Sequence, residues 1–317
     1  MGFFDFFKKK NKAVEDVSKT ENEDFIREEA SDEEDFEQTV LTMEDITTQM
    51  IKEVLDELQN ETKRPVIYID VHDGETGLFE SKFGGLPYIP QSEDVPKDSS
   101  GRQLRLLAQI NLSELPKNDF MPEQGMLQFW AVDDDVTGAN FENLNENDNS
   151  RVIYWNDIDE TVTKEQIEAK YTPYCEDEGY FPICGEFGLS FELAEEGISS
   201  NSYLFDKLFS EKWNKRYPDC KIESFSELPE DDNEDLLSDL SGFGHKIGGY
   251  PAFTQCDPRT DDNYLAGYSQ LLLQIDSMGT DKNEIMWGDG GVCNFFIKPD
   301  DLKNKDFSKT AYNWDCY

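Results

Sequence analysis

Residues 82–91 read KFGGLPYIPQ and residues 246–255 read KIGGYPAFTQ, so the frame KxGGxPxxxQ stands in the chain twice, about 164 residues apart. Its surroundings recur as well. LLAQIN at 106–111 answers LLLQID at 271–276, and GMLQFW at 125–130 answers GVCNFF at 291–296, with the offset drifting by about two residues. Three ordered matches at nearly one offset read as an internal duplication, and such self-similarity bounds the architecture before any local propensity does. Within each copy the order is a glycine turn, a strand carrying LLAQI or LLLQI, and a strand carrying LQFWAV or CNFFI, rich in aromatic and β-branched residues. The expected fold is α+β and β-rich, internally duplicated, with two homologous halves packed as one compact body around a crevice.

Charge narrows the partners. The 317 residues hold 69 Asp and Glu against 29 Lys and Arg, a formal net charge of −40. Binding a phosphate backbone needs cationic side chains to displace its counterions, so nucleic acid is not expected, and a bare anionic membrane is disfavoured for the same reason. A basic protein partner is the complementary expectation. The six cysteines (Cys175, Cys184, Cys220, Cys256, Cys293 and Cys316) form no CxxC pair and follow no secretory signal, which points to free thiols in a reducing cytoplasm. No apolar run approaches the length of a membrane span.

The chain divides by composition. Residues 1–41 read as a disordered acidic extension, since the acidic block at 13–40 has little apolar surface to offset chain entropy. Its tip, MGFFDFFKKKNK, sets Phe3, Phe4, Phe6 and Phe7 against Lys8, Lys9, Lys10 and Lys12. Peripheral membrane contact through residues 1–12 is one reading of that tip, and docking on its own protein is the other. Residues 42–317 read as the folded domain, with repeat copies at about 64–132 and 241–300 and an insert at 133–240. Thr42 and Asp45 approximate a capping box before an amphipathic helix carrying Met43, Ile46, Met50, Ile51, Val54, Leu55 and Leu58, and VIYIDV at 66–71 is an expected strand. The insert adds expected strands RVIYW at 151–155 and FGLSFEL at 187–193, a helix near 203–213, and an acidic surface loop at 227–239.

Residues that bear chemistry are few. The paired glycines Gly84–Gly85 and Gly248–Gly249 read as tight turns feeding strands, with a backbone nest for an anion as the alternative. Gln91, Gln255, Gln109 and Gln274 recur at matching places, and Gln128 is answered by Asn294; amides that both donate and accept suit the pairing of buried backbone groups. Of the two histidines, His72 falls by a turn, whereas His245 stands where the first copy has Ser81. That break in symmetry makes His245 the leading candidate for a specific task, with Gln255, Asp257, Arg259, Trp287 and Asp289 as further candidate ligand-binding residues. DDDVTGANFENL at 133–144 fits a calcium loop only in part, because its twelfth position is Leu144 and not a bidentate Glu. No cofactor or metal is expected, since the sequence contains no GxSxG, HExxH or GxxxxGK[ST].

Taken together, KFGGLPYIP, LLAQINLSELP, GMLQFW, GHKIGGYPAFTQCDPR, LLLQID, IMWGDGGVCNFFI and the closing YNWDCY resemble the YwqG family, a bacterial family of unknown function, over about residues 42–317. The resemblance implies a cytoplasmic, β-rich α+β protein and supplies no catalytic residues. Family members sometimes sit beside toxin and immunity systems, which implies protein binding by association. The functional expectation is a non-enzymatic binding protein that engages a basic partner. The alternative is an enzyme or small-ligand binder using the crevice near His245.

Overall fold

The computed structural model describes residues 41–173, 181–229 and 233–317. By its contacts the chain divides after Thr39, and the unit Val40–Tyr317 is the one described below. The acidic extension expected at 1–41 lies outside the described residues but for Leu41.

The described residues hold ten strands joined in one sheet. The first five are β1 (Arg64–Asp73), β2 (Lys82–Gly84), β3 (Arg105–Asn111), β4 (Met126–Ala131) and β5 (Ser150–Trp155). The second five are β6 (Glu186–Glu196), β7 (His245–Gly248), β8 (Gln270–Asp276), β9 (Val292–Ile297) and β10 (Thr310–Asp315). Their order across the sheet is β10-β9-β8-β7-β1-β6-β2-β3-β4-β5. Every neighbouring pair is antiparallel. The sheet curls into a nearly closed barrel. Phe129 of β4 meets Phe295 of β9 edge to face across its interior at 5.0 Å, and Tyr154 of β5 lies 5.1 Å from Phe307, which leads into β10. Curling leaves fewer open edges for unwanted pairing.

Both faces of the central strands are buried. Leu127, Phe129, Leu273, Cys293, Phe295 and Tyr312 fill the barrel interior. On the outer face, Trp130 packs with Tyr88 and Tyr171 beneath the chain that follows the first glycine turn, and Phe296 packs with Phe253 and Tyr268 beneath the chain that follows the second. Those overlying segments are tied down by amides. Tyr88 N donates to Gln109 Oε1 at 2.7 Å and Gln128 Nε2 donates to Tyr88 O at 2.6 Å. In the second set Ala252 N donates to Gln274 Oε1 at 2.7 Å and Asn294 Nδ2 donates to Ala252 O at 2.8 Å. An extended segment lying on a sheet has no ladder of its own, so side-chain amides supply its backbone partners.

Helices pack at one side. In α1 (Thr48–Glu61) the buried residues Ile51, Val54, Leu55 and Leu58 make one stripe, which meets Phe209 and Trp213 of α3 (Phe205–Arg216). The helix begins later than the capping box suggests. Thr42 and Asp45 close a single 3-10 turn, Met43–Asp45, and α1 starts afresh with Thr47 Oγ1 accepting from Met50 N. Three shorter helices are α2 (Lys164–Glu168), α4 (Asn233–Ser238) and α5 (Pro299–Lys303). Part of the acidic run at 227–239 is thus helical, while residues 230–232 lie outside the described residues.

Candidate functional site

The two glycine turns lie on either side of the β1–β6 pair and organise the polar interior. Gly84 and Gly85 have φ of +63° and +66°, and Gly248 and Gly249 have +77° and +65°. Two successive left-handed residues suit glycine alone. The space where a side chain at Gly85 would stand is filled by the Glu186 carboxylate, and at Gly249 by that of Glu196. These two glutamates are the ends of β6. Where an anion nest was one expectation, the protein's own carboxylate lies against the turn; at the second turn Tyr250 N donates to Glu196 Oε1 at 2.5 Å.

The frame's lysines point inward beside these turns, and both are fully buried. Lys246 Nζ donates to both Glu196 oxygens, at 2.9 and 3.1 Å, and Tyr68 Oη donates to Glu196 Oε2 at 2.9 Å. Burial pushes the Lys246 ammonium below its ordinary pKa, opposed by Glu196. Burial and the adjacent carboxylate push Tyr68 up. Lys82 Nζ donates instead to Gly77 O at 2.7 Å, and burial lowers its pKa to about 8 against the pull of Glu186 and Glu80. A cleft of about 250 Å³ opens beside this cluster, lined by Tyr68, Glu196, Ser199, Asp239 and Phe243 among others.

His245 has a structural partner at each ring nitrogen. Its Nδ1 accepts from Asp276 N at 3.0 Å, which leaves Nε2 to donate to Met278 O at 2.8 Å. Its pKa is lowered by burial. Ser81 Oγ accepts from Asn111 N at 2.9 Å, so serine and histidine satisfy the same backbone group at matching places. Asp257 and Arg259 form a buried pair at 2.7 Å; the guanidinium lies 4.2 Å from the Phe296 ring centre and donates to Tyr268 O. Gln255 is exposed, donating through Nε2 to Cys316 O and through its backbone N to Asp315. Trp287 is buried in the barrel core beside Trp314, and Asp289 is exposed on the following turn. The six candidates therefore occupy four places: His245 on β7, the Asp257–Arg259 pair against β9, Trp287 in the barrel core, and Gln255 and Asp289 on the surface.

Lys82 and Glu186 at the first turn, and Lys246, Glu196 and Tyr68 at the second, are the polar groups that sequence reasoning passed over. The lysines stood in the repeated frame; the glutamates carry no local signal, because pairing brings β6 to both turns. Two of the three carboxylates of the DDD run are committed elsewhere. Asp133 pairs with Arg105 at 3.0 Å, Asp134 with Arg102 at 3.3 Å, and Asp134 Oδ1 accepts from Val136 and Gly138. Among the described residues no group of His, Cys, Asp or Glu is arranged to hold a metal ion, and no helix is long and apolar enough to cross a membrane.

The class so defined is a β-rich protein on one ten-stranded antiparallel sheet, with charged groups buried at its two glycine turns. The chain belongs to the DUF1963 family, a domain of unknown function, whose family model matches residues 81–316, well over half of its length. No curated protein matches it.

Proposed function

We propose that this chain is a non-enzymatic binding protein of the bacterial cytoplasm that engages a basic protein partner through its acidic surface. The observation that carries this reading is the contrast between occupied and free polar groups. His245 and the Asp257–Arg259 pair are spent on internal hydrogen bonds, whereas the chain keeps a net charge of −40. Such a surface speeds encounter with a basic partner and is screened by salt. Within its family the likeness to YwqG proteins rests on the motifs quoted above. An internal duplication is supported by the matching registers: Lys82 opposite Gln109 and Lys246 opposite Gln274, with a register shift between Leu106 and Ala108 and another between Leu271 and Leu273.

Affinity capture with the full chain at low and high salt tests the reading. The recovered partner should be basic, and its association rate should fall as salt rises. Neutralising Glu227 and Asp235 should slow association more than it speeds dissociation.

The second reading, an enzyme or small-ligand binder, is favoured by the cleft beside Tyr68 and Glu196, whose lining runs along the chain as far as Phe243, two residues before His245. A turnover abolished by His245→Ala with the fold retained, and no basic partner at low salt, would establish it in place of the first.

A further inference from the structure

The loop 132–149 joins β4 to β5 and lies against β10, at the seam where the sheet nearly closes. Tyr312 N donates to Leu144 O at 2.8 Å, and Trp314 Nε1 donates to Val136 O at 2.7 Å. This loop exposes apolar surface: Phe141 is 53 % exposed and Val136 37 %. The Phe141 ring lies 6.1 Å from the half-buried Trp314 indole at 58°. Tyr264, 48 % exposed, joins the same loop by accepting from Leu144 N through its hydroxyl. Gly288 comes so close to the indole that a Cβ there would stand 3.2 Å from Trp314 Cζ3, and the exposed Asp289 follows it in the chain.

The charged residues of the loop itself have one sign. The loop contains Asp133, Asp134, Asp135, Glu142, Glu146 and Asp148 and no Lys or Arg. Asp133 and Asp134 are paired with arginines, but Asp135, Glu142 and Asp289 are exposed and meet no cation among the described residues. An aromatic face flanked by free carboxylates is complementary to a guanidinium or ammonium on an apolar stem.

We propose that Phe141 and Trp314, with the neighbouring chain positions Glu142 and Asp289 supplying negative charge, form the docking surface for a basic segment of a partner protein, an arginine side chain lying over the rings. The proposal rests on the basic-partner reading above and assigns it a place. It is tested with the full chain and two labelled peptides of equal positive charge, one alternating Arg with Leu and the other Lys with Gly, read by fluorescence anisotropy at near-physiological salt. The Arg–Leu peptide should bind roughly tenfold more tightly, the scale of a desolvated cation–π contact with its apolar stem. Phe141→Ala should erase that preference. Glu142→Gln with Asp289→Asn should weaken both peptides, whereas Glu44→Gln with Glu211→Gln should not. Phe141 is half exposed, so its truncation should leave the urea midpoint unchanged, which separates lost docking from lost fold. If the preference is absent, or survives Phe141→Ala, the docking surface is overturned while the basic-partner reading stands. If neither peptide binds even at low salt, both fall.

Discussion

At the first glycine turn the buried lysine, Lys82, donates to a carbonyl, whereas at the second its counterpart Lys246 donates to both oxygens of Glu196. The backbone is alike in the two places, down to a glycine amide donating to a carbonyl: Gly85 N to Gly185 O at 3.2 Å and Gly249 N to Pro65 O at 3.0 Å. What differs is how each buried charge is met. One backbone frame accepts unlike polar solutions, provided each leaves few groups without a partner. The same contrast runs through Ser81 and His245, and through Gln128, whose Oε1 accepts from Trp155 Nε1 at 2.9 Å, and Asn294, whose Oδ1 is buried without a partner.

That contrast can be broken, most strongly at the lysines. Lys246→Met strands Glu196 in a largely buried site and should cost about 3–5 kcal/mol in urea unfolding at pH 7, while Lys82→Met, which gives up one hydrogen bond but relieves a desolvated charge, should cost little or nothing. Equal losses would erase the distinction between the two turns.

The pH dependence sharpens it. Lys82 titrates at about 8 in the folded chain, below the ordinary lysine value near 10.4 that the unfolded chain shows. Between those values the unfolded state binds more protons, so stability should climb with pH through this window, by on the order of 3 kcal/mol. The gain should be absent from Lys82→Met; a variant that keeps it would assign the effect to another group.

Trp155→Phe gives the first set the orphan acceptor that the second already has, at Gln128 Oε1. A loss of about 1–3 kcal/mol is expected in thermal or urea unfolding. An unchanged midpoint would mean that water replaces the indole.

The smallest effect belongs to His245. Its folded pKa is depressed, so its contribution is complete above the unfolded value near 6.5 and is lost as pH falls towards the folded value. The slope is at most about 1.4 kcal/mol per pH unit. His245→Ser should flatten this acid limb, bringing the second turn closer to the first with its Ser81; an unaltered limb would trace the slope to carboxylates.

Legibility followed the range of the interactions. The glycine turns, the strands β3, β4, β8 and β9, and the amides that hold the overlying segments all carry their signal within the repeated stretches. β5 and β6 were visible as RVIYW and FGLSFEL, but nothing local tells that β6 pairs with both β1 and β2. Glu186 and Glu196 were illegible for that reason. Lys82 and Lys246 were visible yet unread, because a lysine in isolation indicates surface. Asp289 is legible as a candidate ligand-binding residue; that Gly288 before it lies against Trp314 depends on the chain returning at β10.

The pairing of β1 has a consequence for how the chain is made. Residues 64–73 leave the ribosome roughly 120 residues before their partners at 187–196, and earlier still relative to 245–248. Until then an apolar strand has both flanks open, and contacts of such long sequence separation form slowly. The matched segment starts at Ser81, beyond β1. A chain trimmed to that segment would be born without the strand that joins β6 to β7, and aggregation during synthesis is its expected fate.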